Sequence, residues 1–214
     1  IRDKLVTGVQ TCALPICPDG FLPKVVKAVA EGISPHLCLV FNRSLETGVV
    51  PQDFRSADVS PIHKKGPTVV KGNFRPISLT SVPGKLLESI VKDKIVEYLE
   101  RHDVIGNSQH GFRRGRSCLT NLLEFFHAMF QTYDQSRAVD VIYLDFRKAF
   151  DKVPHRRLMA KVRGLGIRGA VATWIDAWLT DRRQRVVVNG VTRSEEHTSE
   201  LQSLAYLVCR LLLE

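Results

Sequence analysis

The segment VDVIYLDFRKAFDKVPH, residues 139–155, carries the clearest chemical signal in the chain. Residues 138–144 are almost wholly apolar and β-branched, which predicts a strand buried on both faces. Asp145 follows directly, and a carboxylate at the open end of a buried strand is well placed to hold a divalent ion for phosphoryl transfer. Spacing alone favours a simpler interpretation, in which Asp145 only caps a helix, and favours it more strongly for Asp140 and Asp151. The residue types therefore leave a metal-binding role for Asp145 open.

Two basic loops offer cations to a phosphate-bearing ligand. The first, residues 63–73, is punctuated by glycine and proline and carries Lys64 and Lys65, with Arg75 just beyond it. The second, residues 106–116, is rich in arginine. Such cations neutralise phosphates, and nucleic-acid binding depends on them. Each loop taken by itself is equally well explained as a solvated surface.

Hydrophobic spacing predicts the elements that position these residues. Helices are expected over residues 21–47, from Pro83, from Ser117, after Pro154 and through 171–179, and strands over 57–62, 138–144 and 185–190. Ser117 is expected to cap a helix whose apolar side chains face the core: Leu119, Leu122, Leu123, Phe126 and Phe130. GLGIRG at 164–169 has the form of a dinucleotide-binding motif, but it follows a helical stretch rather than a strand. The predicted fold class is α+β or mixed α/β around a small sheet.

Composition bounds the class of protein. The 214 residues are 44% hydrophobic and 25% charged, as in ordinary globular proteins. The net charge of +9 fits a polyanionic partner. No apolar run is long enough for a transmembrane helix, so no membrane partner is expected. The five cysteines lack zinc-ligand spacing, and no signal peptide is visible, so we expect an intracellular location, in the nucleus or cytoplasm.

Both ends of the chain look like translated sequencing adapter. Codons can be chosen for residues 6–16 whose reverse complement, in a shifted frame, encodes residues 193–203. The same relation links Ile1–Asp3 to codons for residues 206–209. We therefore predict that residues 1–17 and 193–214 are non-native and exclude them from the fold analysis. The basic excess of charge belongs to the remaining core.

Within that core, motifs in a fixed order resemble a known family. SPIHKKG (60–66), NFRPISLTSVPGKLLE (73–88), QHGFRRGRSCLTNLL (109–123) and residues 139–155 resemble the fingers and first palm segment of reverse transcriptases from non-LTR retrotransposons. The likeness is to the LINE type, nearest the jockey and chicken-repeat-like groups. PDGFLPKVVK (18–27) resembles the segment that precedes those fingers. The resemblance implies a right-hand polymerase fold that is incomplete at its C-terminus.

The resemblance also implies a division of the core and a catalytic centre. Residues 18–137 match the fingers, and residues 138–192 match a partial palm with the first catalytic motif. Asp145 matches the first metal-binding aspartate of the palm, and the backbone carbonyl of Phe146 would also face a metal. Phe150 matches the aromatic gate that stacks under the sugar and excludes a 2′-hydroxyl. Two Mg²⁺ ions are expected in the intact domain.

The basic loops acquire roles through the same resemblance. Arg75, with Lys65 or Lys64, matches the fingers cations that grip the incoming deoxynucleoside triphosphate. The motif beside the template strand is matched by Gln109, Gly111, Phe112 and Arg113. The implied partners are an RNA template, a DNA primer and a deoxynucleoside triphosphate.

The chain departs from the family pattern after VVVNG, residues 186–190. The family continues into a glycine-rich palm segment and a strand turn with paired aspartates, whereas here the adapter-like tail follows. We therefore expect a fragment of an RNA-directed DNA polymerase that is inactive by itself. Two alternatives stay open: a non-catalytic, nucleic-acid-binding relic of the same fold, and a translated contaminant that is never expressed. The sequence motifs VPGKLLE (82–88) and FDKVPH (150–155) disfavour a group II intron reverse transcriptase.

Overall fold

The computed structural model describes residues 19–20, 22–111, 113–144, 153–188 and 191–195. Its helices are α1 (Pro23–Ala28), α2 (Ala30–Thr47), α3 (Val82–Arg101), α4 (Cys118–Asp134), α5 (His155–Gly164) and α6 (Gly169–Leu179). Its strands are β1 (Ser56–His63), β2 (Phe74–Thr80), β3 (Arg183–Val188) and β4 (Val191–Glu195). Short 3₁₀ turns precede β1 and β2, at Gln52–Arg55 and Lys71–Asn73. The predicted combination of helices with a small sheet is confirmed.

The central helix, α3, shows how the sequence sets the local structure. Its apolar residues recur every fourth position, which places them on one face of a helix, and that face is buried: Leu87, Val91, Ile95 and Leu99. The Ser81 hydroxyl caps the first turn by accepting a hydrogen bond from the Gly84 amide over 3.0 Å. Pro83 occupies the first turn, where the missing N–H costs nothing. The helix begins one residue before the predicted start.

The sheet has the strand order β2-β1-β3-β4. β1 pairs antiparallel with β2 and parallel with β3, and β3 pairs antiparallel with β4. Sequence analysis did not predict β2, which contains Pro76, a residue that cannot donate a ladder hydrogen bond. The structure accommodates Pro76 at the sheet edge, directly opposite Pro61 of β1. β4 extends across residue 193, where the non-native C-terminal segment is predicted to begin. Strand pairing uses backbone groups and needs no particular side chains, so the pairing of β4 does not test that boundary, which stays a prediction.

The hydrophobic core is formed mainly by helices. Buried side chains of α2, α3, α5 and α6 make one cluster, which Ala57 of β1 joins from the sheet. Trp174 lies at its centre and donates from Nε1 to the Ser44 hydroxyl over 2.9 Å, which joins α6 to α2. Arg182 lies over the ring of Trp178 at 4.2 Å, and burial lowers its pKa to about 10. Within the described ranges, none of the helices is both long enough and apolar enough to cross a membrane.

Two expectations about packing are wrong. The predicted inward face of α4 is open to solvent, with exposed fractions from 40% to 63%: Leu119, Leu122, Leu123, Phe126 and Phe130. Residues 138–144 form no strand ladder, and Leu144 is 85% exposed. The predicted helix over residues 21–47 is also interrupted at Val29. The apolar side chains of α4 and of residues 138–144 would be stabilised by burial, but no element in the described part of the chain covers them.

Candidate nucleic-acid interface

The β1–β2 hairpin presents the three predicted fingers cations to solvent. Arg75 lies in β2 opposite Ile62 of β1, and Lys64 follows the end of β1, where its amide donates to the Asn73 carbonyl over 2.8 Å. Because side chains alternate along a strand, positions 64 and 75 fall on the same face of the hairpin. Lys64, Lys65 and Arg75 are exposed, and the described residues place no carboxylate within 4.0 Å of them. The hairpin therefore offers a cluster of cations with free positive charge.

The loop at the hairpin tip is held by its own polar groups. His63 Nε2 hydrogen-bonds to the Gly66 carbonyl over 2.7 Å, and the His63 ring packs edge-on against Phe74. Asn73 Nδ2 donates to the Pro67 carbonyl over 2.9 Å. Gly66 has φ +83°, and an added Cβ would lie 2.7 Å from the Asn73 amide nitrogen, so a side chain there would be strained. The cations are thus carried on an ordered turn.

The predicted template motif forms a compact loop between α3 and α4. Gln109 is buried, and its Nε2 donates to the Gly111 carbonyl over 3.4 Å. Arg113 Nη1 donates to the Gly106 carbonyl over 3.0 Å, and Arg113 Nε lies 3.9 Å from Glu100 Oε1. The structure brings Gln109, Gly111 and Arg113 together, while Phe112 lies outside the described residues. Arg113 shapes the loop through these contacts, and its template contact stays a prediction.

His110 fixes this loop to α4, a role that the sequence analysis missed. Its side chain is buried, with Nδ1 2.9 Å from the Thr120 hydroxyl and Nε2 2.7 Å from Glu124 Oε2. Thr120 also completes a reciprocal cap with Ser117, which confirms Ser117 as the helix cap. Arg116 Nη1 donates to the same Glu124 oxygen over 3.4 Å. The i, i+4 spacing of Thr120 and Glu124 is the one signal in the sequence that could have indicated a shared partner.

We expect His110→Ala to loosen the loop at residues 106–116 while leaving the rest of the fold in place. The substitution removes two hydrogen bonds and leaves a cavity, at an expected cost of about 1–3 kcal/mol. Hydrogen exchange of the loop amides should accelerate, and the exchange of α3 should not. His127→Ala, an exposed histidine on the same helix, is the matched control. Equal exchange of the loop in both variants would contradict the anchoring role.

Asp58 and Arg185 tie the hairpin to β3. They are register partners in the parallel pair of β1 and β3, and Asp58 is buried. Arg185 Nε donates to Asp58 Oδ1 over 2.5 Å, and Nη2 donates to Oδ2 over 3.0 Å. The hydrogen bond to Asp58 raises the pKa of Arg185 above its ordinary value. A two-pronged pair of this kind fixes orientation as well as distance, so it holds the cationic hairpin in register with the sheet.

Comparison with known families identifies the chain. Residues 62–202 match the family model described as "Reverse transcriptase (RNA-dependent DNA polymerase)". This chain belongs to the reverse transcriptase family. The match covers the hairpin cations Lys64, Lys65 and Arg75, the template-motif loop and the segment of Asp145, so the predicted family is confirmed.

Named relatives of this reverse transcriptase come from mobile elements of Drosophila melanogaster. The "Probable RNA-directed DNA polymerase from transposon BS" is 26% identical over 87% of this chain and 21% of that protein. The probable RNA-directed DNA polymerase from transposon X-element is 30% identical over 64% of this chain and 15% of its own length. The RNA-directed DNA polymerase from mobile element jockey is 25% identical over 80% of this chain and 19% of its own length. The chain therefore spans about a fifth of these relatives, and the predicted likeness to non-LTR retrotransposons is confirmed.

The middle of the predicted catalytic motif, residues 145–152, lies outside the described residues. Asp145, Phe146 and Phe150 all do so, and their roles stay predictions. Residues 138–144, which precede Asp145, form no strand pairing with any other described residue. The centroid of the Tyr143 ring lies 6.4 Å from that of the Phe125 ring. In the part of the chain that the structure describes, no three acidic, histidine or cysteine side chains gather as a metal site.

Proposed function

We propose that this chain is the fingers and first palm segment of an RNA-directed DNA polymerase, which adds deoxynucleotides to a DNA primer on an RNA template within a longer protein. The observation that carries the proposal is the β1–β2 hairpin, where Lys64, Lys65 and Arg75 stand exposed on an ordered turn inside the family match. A triphosphate is the most highly charged part of such a substrate, and preorganised cations stabilise it at low reorganisation cost.

The hairpin is suited to hold the triphosphate rather than to take part in bond making. Lys64 and Arg75 share a face of the hairpin, and Lys65 lies in the adjacent turn. The Asp58–Arg185 pair and the His63–Gly66 hydrogen bond keep this surface in one conformation. Rigid placement of cations lowers the entropy lost on binding. The hairpin therefore positions the nucleotide for attack.

The loop anchored by His110 is suited to support the template strand. Gln109 and Gly111 are joined by a hydrogen bond, and Arg113 donates a hydrogen bond to the Gly106 carbonyl, so the loop backbone is preorganised. Exposed Arg114 adds positive charge beside it. Backbone and cationic contacts of this kind position a nucleic acid without reading its sequence.

Asp145 and the carbonyl of Phe146 would hold Mg²⁺ in the intact domain. Their donor set fits, because carboxylate and carbonyl oxygens are the ligands that Mg²⁺ prefers. When bound, the ions supply charge stabilisation to the oxygens around the transferring phosphorus. In the reaction, the primer 3′-hydroxyl oxygen bonds to the α-phosphorus, the bond to pyrophosphate breaks, and the hydroxyl proton leaves to solvent.

Replacing Phe150 tests the choice of sugar directly. In the longer protein, Phe150→Val should open space beside C2′ and raise the use of ribonucleotides relative to deoxynucleotides by at least about tenfold, the effect of a small change in pocket volume. The measurement is the ratio of kcat/KM for the two sugars in primer extension. Phe130→Val, at a 60% exposed aromatic of α4, is the control. A ratio unchanged by Phe150→Val would remove the gate assignment.

A further inference from the structure

The charged side chains on the exposed side of α5 are all basic. The inner face buries Leu158, Met159 and Val162, while Arg156 and Arg157 are exposed on the other side. Lys161, which is partly exposed, and Arg163, which is exposed, lie at the two edges of that outer side nearer the end of the helix. Residues 153–168 contain no acidic residue. The helix thus buries apolar side chains on one face and carries several positive charges on the other.

Most of this charge has no ion-pair partner among the residues that the structure describes. Arg163 Nη2 lies 3.7 Å from Asp176 Oδ2, and both side chains are about half exposed, so the pair is weak. In the described ranges, no carboxylate lies within 4.0 Å of Arg156, Arg157 or Lys161. Because these cations form one weak ion pair among the described residues, most of their positive charge is available to a binding partner.

An open cleft adjoins the C-terminal end of α5. It has a volume of about 510 Å³ and is lined by Arg163, Arg168 and Thr173, with Gly164 and Gly169 leaving the backbone accessible. Arg168 is exposed and extends the basic surface across the start of α6. The cleft therefore widens the cationic surface beyond a single helix face.

The dimensions and chemistry of this surface fit a sugar–phosphate backbone. A helix of ten residues is about 15 Å long, which equals the rise of roughly four base pairs. Arginine dominates the surface, and its planar guanidinium binds phosphate oxygens in pairs. The outer face carries no aromatic side chain that would stack on bases, so recognition of sequence is not expected there.

We propose that the outer face of α5 and the adjoining cleft form a second nucleic-acid-binding surface, which grips the phosphate backbone without regard to sequence. It belongs to none of the elements that carry the fingers cations or the template loop. The inference rests on the proposed function only in assuming that the longer protein works on nucleic acid. Its occupant is a stretch of RNA or DNA additional to the strand held by the fingers.

The test measures binding of the 214-residue chain to fluorescent single-stranded RNA, double-stranded RNA and double-stranded DNA across a range of salt concentrations. The variant is Arg156→Gln/Arg157→Gln/Arg163→Gln. Because each phosphate contact contributes about 0.7–0.9 to the slope of log affinity against log salt, losing three contacts should flatten that slope by about 2. The three probes show which nucleic acid the surface prefers.

A matched control removes the same charge from another helix. Lys85→Gln/Lys94→Gln/Arg101→Gln neutralises three exposed cations of α3 and should leave the slope nearly unchanged. If the α3 variant flattens the slope as much as the α5 variant does, only net charge matters and the surface is refuted. Loss of binding to anionic vesicles without loss of binding to any nucleic acid would equally overturn the proposal, in favour of a membrane partner.

A separate arm distinguishes this inference from the proposed function. Lys64→Gln/Lys65→Gln/Arg75→Gln removes the cations assigned to the triphosphate, so it should leave the slope nearly unchanged. An effect of the α5 variant alone would support the second surface whether or not the proposed function holds, because that function is tested separately by primer extension. Should the α5 variant fail to fold, hydrogen exchange of the unsubstituted chain with and without RNA decides. Slower exchange at residues 155–164 on adding RNA supports the surface, and unchanged exchange there overturns it.

Discussion

Asp145→Ala in the longer protein should reduce primer extension by at least about a thousandfold, the upper range seen when one preorganised electrostatic group is removed from an active site. The carboxylate is expected to hold charge beside the transferring phosphate, and alanine offers no oxygen in its place. The fold should persist, because Asp145 follows a segment that makes no ladder contacts among the described residues. The measurement is single-turnover extension of a primed RNA template.

The control for this prediction is Asp140→Ala. Asp140 is exposed in the same segment, and the residue pattern favours a structural role for it. It should extend the primer within a few-fold of the parent protein, with both variants showing equal thermal stability. Near-normal extension by Asp145→Ala would overturn the assignment of Asp145.

Trp174→Ala should strongly lower the free energy of unfolding of the 214-residue chain. The side chain is 1% exposed, packs beside Trp178 and donates to Ser44, whose hydroxyl in turn donates to the Val49 carbonyl over 2.7 Å. Removing a large buried aromatic costs about 3–5 kcal/mol, which is a large share of the 5–15 kcal/mol that holds a typical domain together. Urea unfolding followed by circular dichroism measures the loss.

Two further substitutions separate volume from hydrogen bonding at this position. Trp174→Phe keeps much of the ring but loses the N–H donor, so it should cost less than Trp174→Ala. Tyr133→Ala removes an aromatic that is 75% exposed and should change the free energy of unfolding by no more than about 0.5 kcal/mol. Equal free energies of unfolding for the Trp174→Ala and Tyr133→Ala proteins would contradict the placement of Trp174 at the centre of the core.

Local patterns in the sequence predicted the elements whose partners are near them. The four-residue spacing of α3 and the cap of α4 at Ser117 follow from adjacent residues, and the structure confirms both. The pattern of α4 predicted its period correctly but not its burial. Burial depends on what covers the face, and no covering element is present among the described residues.

Long-range polar contacts were beyond sequence reasoning. The Asp58–Arg185 pair joins residues far apart in the chain, and only the parallel pairing of β1 with β3 brings them together. His110 lies within the predicted template motif, in which roles were assigned only to its neighbours. Its hydrogen-bond partners, Thr120 and Glu124, lie on the next helix, α4. β2 was not predicted. Pro76 is compatible with a strand at a sheet edge, where β2 lies, and the order of strands cannot be deduced from one sequence.

Primer extension on an RNA template tests the central claim most directly. The assay compares the 214-residue chain with a longer protein that continues through a paired-aspartate segment, each with deoxynucleoside triphosphates and Mg²⁺. Two-ion phosphoryl transfer needs carboxylates from more than one place, and this chain contains no adjacent aspartate pair. We predict metal-dependent extension by the longer protein and none by the chain alone. Failure of the longer protein to extend any primed RNA, or extension by the chain alone that Asp145→Ala abolishes, would contradict the account.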